Sequence, residues 1–149
     1  MKRNQRLNAE GYADPTAYHG ILKAEKQREA EREIERYTKH NKVPRVYIVS
    51  PYAGDVEANV ANAKRYCRFA LKRGYNPIAS HLYYTQFLND SSKAERQTGL
   101  NLGLDLMRSC SEVWWFGEAI SNGMYAELCR AKAWHIPTRH FDTELNVIE

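Results

Sequence analysis

A chain of 149 residues with a formal net charge of +4 is long enough for one domain with a full core, since a domain of about this size buries roughly 70% of the surface its unfolded form exposes. The charge is uneven: residues 1–43 hold ten Lys/Arg against seven Asp/Glu, and residues 44–149 hold twelve against eleven, so the part with the apolar pattern is nearly neutral and lacks the clustered basic face that nucleic acid requires. No run reaches the roughly 18 apolar residues of a membrane span, and "MKRNQRLNAEGYADP" has no apolar centre that would make it a signal peptide, so a cytoplasmic protein is expected.

From Leu22 to Lys42, "LKAEKQREAEREIERYTKHNK" is a helix former with little to bury. Glu and Arg recur at i,i+3, each pair worth a few tenths of a kcal/mol, and apolar residues are too sparse for a coiled-coil seam. Turn residues precede it, with a short helix start near Asp14 and Pro15. Residues 1–43 are therefore read as a charged helical or flexible extension, and residues 44–149 as the folded domain.

Past Pro44 the pattern changes. "RVYIVS" (45–50) is a strand, "PYAGD" a loop, and Val56, Val60, Ala63, Cys67, Ala70 and Leu71 mark one face of a helix that stops at Gly74. "YNPIAS" (75–80) is a second strand and "HLYYTQFLNDSS" a loop. Residues 94–110 carry Leu100, Leu104 and Met107 at helical spacing, with Gly99 and Gly103 allowing close approach of backbone or ligand. "EVWWFG" (112–117) is apolar without alternation, as a strand covered on both faces is. Met124, Leu128 and Ala131 give the third helix its inward stripe, and "IPTRHF" (136–141) ends the series. The alternation predicts an α/β three-layer sandwich, flavodoxin- or Rossmann-like, with a parallel sheet of four strands, or five, in the order 2-1-3-4.

Ligands of such a sheet bind outside the carboxyl ends of its strands, at the point where the strand order reverses. That places Ser50, Pro51, Tyr52 and Gly54 after the first strand, His81 after the second, and Gly117, Glu118, Ser121, Gly123, Met124 and Glu127 after the third. Ser121 and Gly123 open a helix, whose free N–H groups and dipole favour an anion such as phosphate; Ser121 also reads as a plain N-cap, and the two roles are compatible. Glu127 is either a solvated helix residue or a carboxylate facing the crevice. Asp105, inside "LGLDLM", is either on an exposed face or a buried group in need of a partner, and His81 either contacts ligand or is satisfied by backbone. Cys67, Cys110 and Cys129 form no CxxC pair and occupy apolar positions, so buried thiols are expected rather than a disulfide or zinc site. No metal and no other cofactor is expected. Tyr83, Tyr84, Phe87 and Leu88 gather apolar surface in one loop, which points to a homodimer or larger homo-oligomer.

The stretches "SNGMYAELCRA" and "DLMRSCSEVWWF" resemble the nucleoside 2-deoxyribosyltransferase-like superfamily, including its 2'-deoxynucleoside 5'-phosphate N-hydrolases. On this resemblance Glu127 is the nucleophile, Ser121 a phosphate contact and Asp105 the residue that assists base or ribose. "YIVSPYAG" is similar to the first strand and loop of the same superfamily. Ser111 and Glu112 depart from the aspartate and apolar residue usual at the start of its third strand, and "WW" is bulkier than usual. Over residues 45–141 the sequence also resembles an uncharacterised domain family common in phages and prophages of low-GC Gram-positive bacteria, for whose members the location would be the bacterial host cytoplasm.

These readings imply a binder of a small-molecule nucleotide, with no membrane partner and nucleic acid not expected as one. The expected activity is cleavage or transfer at the N-glycosidic bond of a (deoxy)nucleoside 5'-phosphate through a glutamate nucleophile. The alternative is a non-catalytic module that senses or sequesters a nucleotide-derived signal, and a third reading is an adaptor working through the N-terminal extension.

Overall fold

The computed structural model describes residues 15–39 and 43–148, apart from the side chains of Tyr37 and Thr38. The chain divides into two units, Met1–His40 and Asn41–Glu149, each taken by itself.

In the first, α1 (Pro15–Thr38) is one continuous helix. Proline suits its first position, where the missing N–H would be unpaired anyway, and the helix begins earlier than the charge pattern alone suggests. Gln27 donates to Glu31 and Lys39 pairs with Glu35, both at i,i+4. The turn expected at residues 11–14 and the expected end at Lys42 lie outside the described residues.

In the second unit β1 (Arg45–Val49), α2 (Val56–Lys72), β2 (Asn76–Ile78), a short α3 (Ser80–Tyr83) running into a 3-10 turn at Tyr84–Gln86, α4 (Lys93–Arg108), β3 (Glu112–Phe116), α5 (Asn122–Ala133) and β4 (Thr138–Phe141) follow in order. The four strands pair in parallel in the order β2-β1-β3-β4. No fifth strand forms among the described residues; the chain after β4 turns back and makes one antiparallel bridge, Phe141 with Val147. Pro77 sits in the edge strand β2, where a missing ladder donor is tolerated.

Both faces of the sheet are covered. Val46, Ile48, Trp114, Phe116 and Phe141 pack with Tyr66 and Ala70 of α2, while Tyr47, Val49 and Val113 on the other face pack with Met107 and Cys110 at the end of α4 and Met124 and Ala131 of α5. β1 and β3 are the inner strands, which explains their unbroken apolar runs.

α2 and α5 end in the same way. Tyr75 N–H reaches Ala70 O and Gly74 N–H reaches Leu71 O; Ile136 N–H reaches Ala131 O and His135 N–H reaches Lys132 O. Each is a Schellman closure with a left-handed residue, Gly74 at φ 83° in the first and His135 at φ 56° in the second.

Two expectations need correction. The loop after β2 is largely helical, because four residues of α3 are too few to show a helical period in sequence. Of the three cysteines, Cys110 is buried and Cys67 half-buried, with burial raising both thiols to about 11, but Cys129 is exposed; it lies on the outer face of α5, away from the Met124–Ala131 stripe. Ser111 and Glu112 open β3, at the end remote from the strands' carboxyl termini, where Glu112 accepts from Tyr75 (2.9 Å) and Trp114 (2.6 Å). Tyr83 and Phe87 are exposed and meet edge to face.

No helix among the described residues is long and apolar enough to cross a membrane.

Candidate active site

α4 and α5 lie on one face of the sheet and run antiparallel to the strands, so their N-terminal turns reach the strands' carboxyl ends beside the β1–α2 loop and α3. A cavity of about 320 Å³ opens there.

At its floor, Glu127 of α5 accepts a hydrogen bond from the Tyr47 hydroxyl of β1 at 2.7 Å. Tyr47 has one proton and gives it to Glu127, so the Ser80 hydroxyl, 2.6 Å away, donates to Tyr47 in turn. Burial pushes the Glu127 carboxyl up to about 7, against the pull of the Tyr47 hydrogen bond that favours the anion. Burial, then the Glu127 charge, raises the Tyr47 phenol well above its ordinary value, so it stays a donor.

This trio exists because α4 presents no side chain to it. A Cβ on Gly103 would lie 2.8 Å from both Tyr47 Oη and Ser80 Oγ, a separation that real Cβ atoms essentially never show. The close approach anticipated for Gly103 is therefore an approach to the hydroxyl pair that holds Glu127.

One wall comes from β1 and α3. Ser50, buried at the end of β1, lies 3.2 Å from His81 Nε2. Burial lowers the His81 imidazole to about 4, so it is neutral at pH 7. A second wall is the start of α5, where Ser121 is the N-cap and its hydroxyl oxygen accepts from Met124 N–H at 3.2 Å. Its O–H and the first N–H groups of the helix remain available to a ligand. The third wall is α4 with the segment leading into it: Asp90, Glu95, Arg96, Gly99 and Leu100.

Of the residues singled out in sequence, Ser50, Pro51, Tyr52, His81, Ser121, Gly123, Met124 and Glu127 line this one cavity. Gly54 and Gly117 do not. Both have positive φ, 95° and 107°, and serve the backbone: Gly117 turns the chain out of β3, its carbonyl 2.7 Å from His140 Nε2. Asp105 does not line it either. Gly103 and Met107 face the sheet, and two residues along a helix turn a side chain by about 200°, which leaves Asp105 exposed on the far side of α4. Tyr47, Ser80, Asp90 and Arg96 were missed. Tyr47 reads as an ordinary strand residue, Ser80 as the tail of a strand, and the other two fall where no motif marks them.

Comparison with known proteins adds a family and a fold. The family described as "Domain of unknown function (DUF7768)" matches residues 44–141. The chain belongs to this family. Its matched span holds every cavity residue and leaves out α1. No curated protein matches the chain significantly. Among solved structures, one from a study of the 2-deoxyribosyltransferase of the psychrotolerant bacterium Bacillus psychrosaccharolyticus is similar at 16% identity, covering 70% of this chain and 77% of that one with a TM-score of 0.52. At that identity the likeness is one of fold, and it agrees with the four-stranded parallel sheet.

Proposed function

We propose that the chain binds a nucleoside 5'-phosphate in this cavity and breaks its N-glycosidic bond with Glu127 as nucleophile. The observation that carries the reading is an inward-facing carboxylate, fixed by a tyrosine hydroxyl at 2.7 Å on the floor of a cavity at the carboxyl ends of a parallel sheet. The activity for which the structural neighbour is named, 2-deoxyribosyl transfer, supports the same chemistry.

Glu127 Oε attacks the anomeric carbon, the C–N bond breaks, and its electron pair leaves with the base. The base takes its proton from solvent. Water then adds to the glycosyl ester, releasing the sugar phosphate and regenerating Glu127. A second nucleobase in place of water gives transfer. Tyr47 holds the carboxylate oxygen and offsets its charge, and the Ser121 hydroxyl with the α5 N–H groups receives the phosphate.

The exposure of Asp105 favours a second reading. Without that carboxylate at the cavity, the same site suits a module that binds a nucleotide and leaves it intact. Incubation with a panel of nucleosides and their 5'-phosphates, followed by chromatography, separates the two: free base supports the enzyme, and retained but unchanged ligand supports the module.

A further inference from the structure

The α4 wall contains a charge that the glycosidic chemistry does not use. Arg96, Gly99, Leu100 and Gly103 are spaced i, i+3, i+4, i+7 and form a single stripe of the helix. Gly103 marks the level of the Tyr47–Ser80 pair and so of the Glu127 carboxylate. Arg96, seven residues closer to the N-terminus, is about 10 Å nearer the cavity mouth and only about 20° off the same line. Gly99 carries no side chain between them, so within this stripe only the apolar Leu100 stands between the floor and the Arg96 guanidinium.

The charges around it are mostly spoken for. The Glu95 carboxylate accepts Asn89 N–H, Glu127 accepts from Tyr47, and His81 is neutral at pH 7. Among the described residues Arg96 has no carboxylate within 4.0 Å, and no other Lys or Arg lines the cavity. An unpaired guanidinium on the wall of a ligand cavity presents a fork of N–H donors matched to the oxygens of a phosphate.

We infer that Arg96 reads the phosphate of the ligand from the α4 wall and sets the preference for phosphorylated over unphosphorylated nucleosides. The inference rests on the nucleotide reading given above and adds a residue to it. A ligand held in this way spans the cavity, its glycosidic carbon at Glu127 and its phosphate near the mouth, where α4 and α5 both begin.

Calorimetric titration tests it, with the common 2'-deoxynucleosides, their 5'-monophosphates and inorganic phosphate as probes, and base release followed in parallel. The wild-type chain should bind the monophosphate at least tenfold more tightly than the matching nucleoside. Arg96→Gln should cut that ratio severalfold without changing nucleoside affinity, the remainder being held by Ser121 and the α5 N–H groups, and Arg96→Lys should keep more of it. Lys93→Gln, which removes an exposed charge of the same helix turn outside the cavity, should leave the ratio intact. A wild-type chain with no preference for phosphate, or an Arg96→Gln ratio equal to wild type, overturns the inference. Base release with an unchanged ratio removes Arg96 and spares the enzyme. A ratio that falls severalfold while no base is ever released keeps Arg96 and removes the enzyme.

Discussion

The Tyr47 hydroxyl donates to the Glu127 carboxylate at 2.7 Å, joining an inner strand to the second turn of α5. On the proposed mechanism the reacting species is the ionised form of a carboxyl that burial has moved to about 7, so base release should rise with pH and level off above about 8. Tyr47→Phe removes the hydrogen bond that favours the anion, and the midpoint of that limb should move to higher pH. A pH–rate profile of the two proteins checks this. An unmoved midpoint would show that Tyr47 does not tune the carboxylate.

The same group links stability to pH. Its folded value lies above the ordinary 4.5, so between about 4.5 and 7 the folded chain holds a proton that the unfolded chain has lost. Stability from this group is full below about 4.5 and falls as pH rises through about 7. The total is up to roughly 3 kcal/mol, less where water reaches the carboxylate. Glu127→Gln stays neutral at all pH, so its stability relative to wild type should improve from pH 5 to pH 8. Urea unfolding at the two pH values measures the difference.

Gly103 and Gly99 are one turn apart on α4 and should behave oppositely. Alanine at 103 drives a methyl into two hydroxyl oxygens at 2.8 Å, and the expected loss is about 1–3 kcal/mol, typical of overpacking, with weakened base release. Alanine at 99 meets Leu88 Cδ1 at 3.5 Å, an ordinary contact, so the gain in helix propensity of up to about 1 kcal/mol should show. Thermal melts and activity of the two variants test the pair.

The closure of α5 on His135 places a side chain where φ is 56°, a conformation that costs a non-glycine residue roughly 1–2 kcal/mol. His135→Gly should therefore raise stability by about 1 kcal/mol, and Gly74→Ala at the matching position of α2 should lower it by a similar amount. Chemical denaturation reads both, and a His135→Gly chain no more stable than wild type would show that the His135 side chain offsets its strain.

The inner strands, α2, α5 and the strand order were legible because long apolar runs and helical stripes carry their own period, and Gly74 marks one helix end. Nothing comparable marks the end of α5, since the left-handed residue there is a histidine. Glu127 and Ser121 were found from their place after β3. Tyr47 was hidden by its role as core: it is wholly buried, and only the packing of α5 over β1 shows that its hydroxyl ends at Glu127. Asp105 was placed with the site on resemblance, whereas the phase of α4, fixed by Gly103 and Met107, turns it outward. Arg96 left a usable signal, its i,i+7 relation to Gly103, but that spacing means nothing until Gly103 is known to face the site.

The most direct measurement compares wild type and Glu127→Gln for release of free base from 5'-nucleotides, with ligand binding measured on the same samples. The amide keeps the shape of the carboxyl but cannot form the glycosyl ester. Base release should therefore be lost while nucleotide affinity stays within about tenfold, roughly 1.4 kcal/mol. A Glu127→Gln protein that still releases base at the wild-type rate would contradict the account.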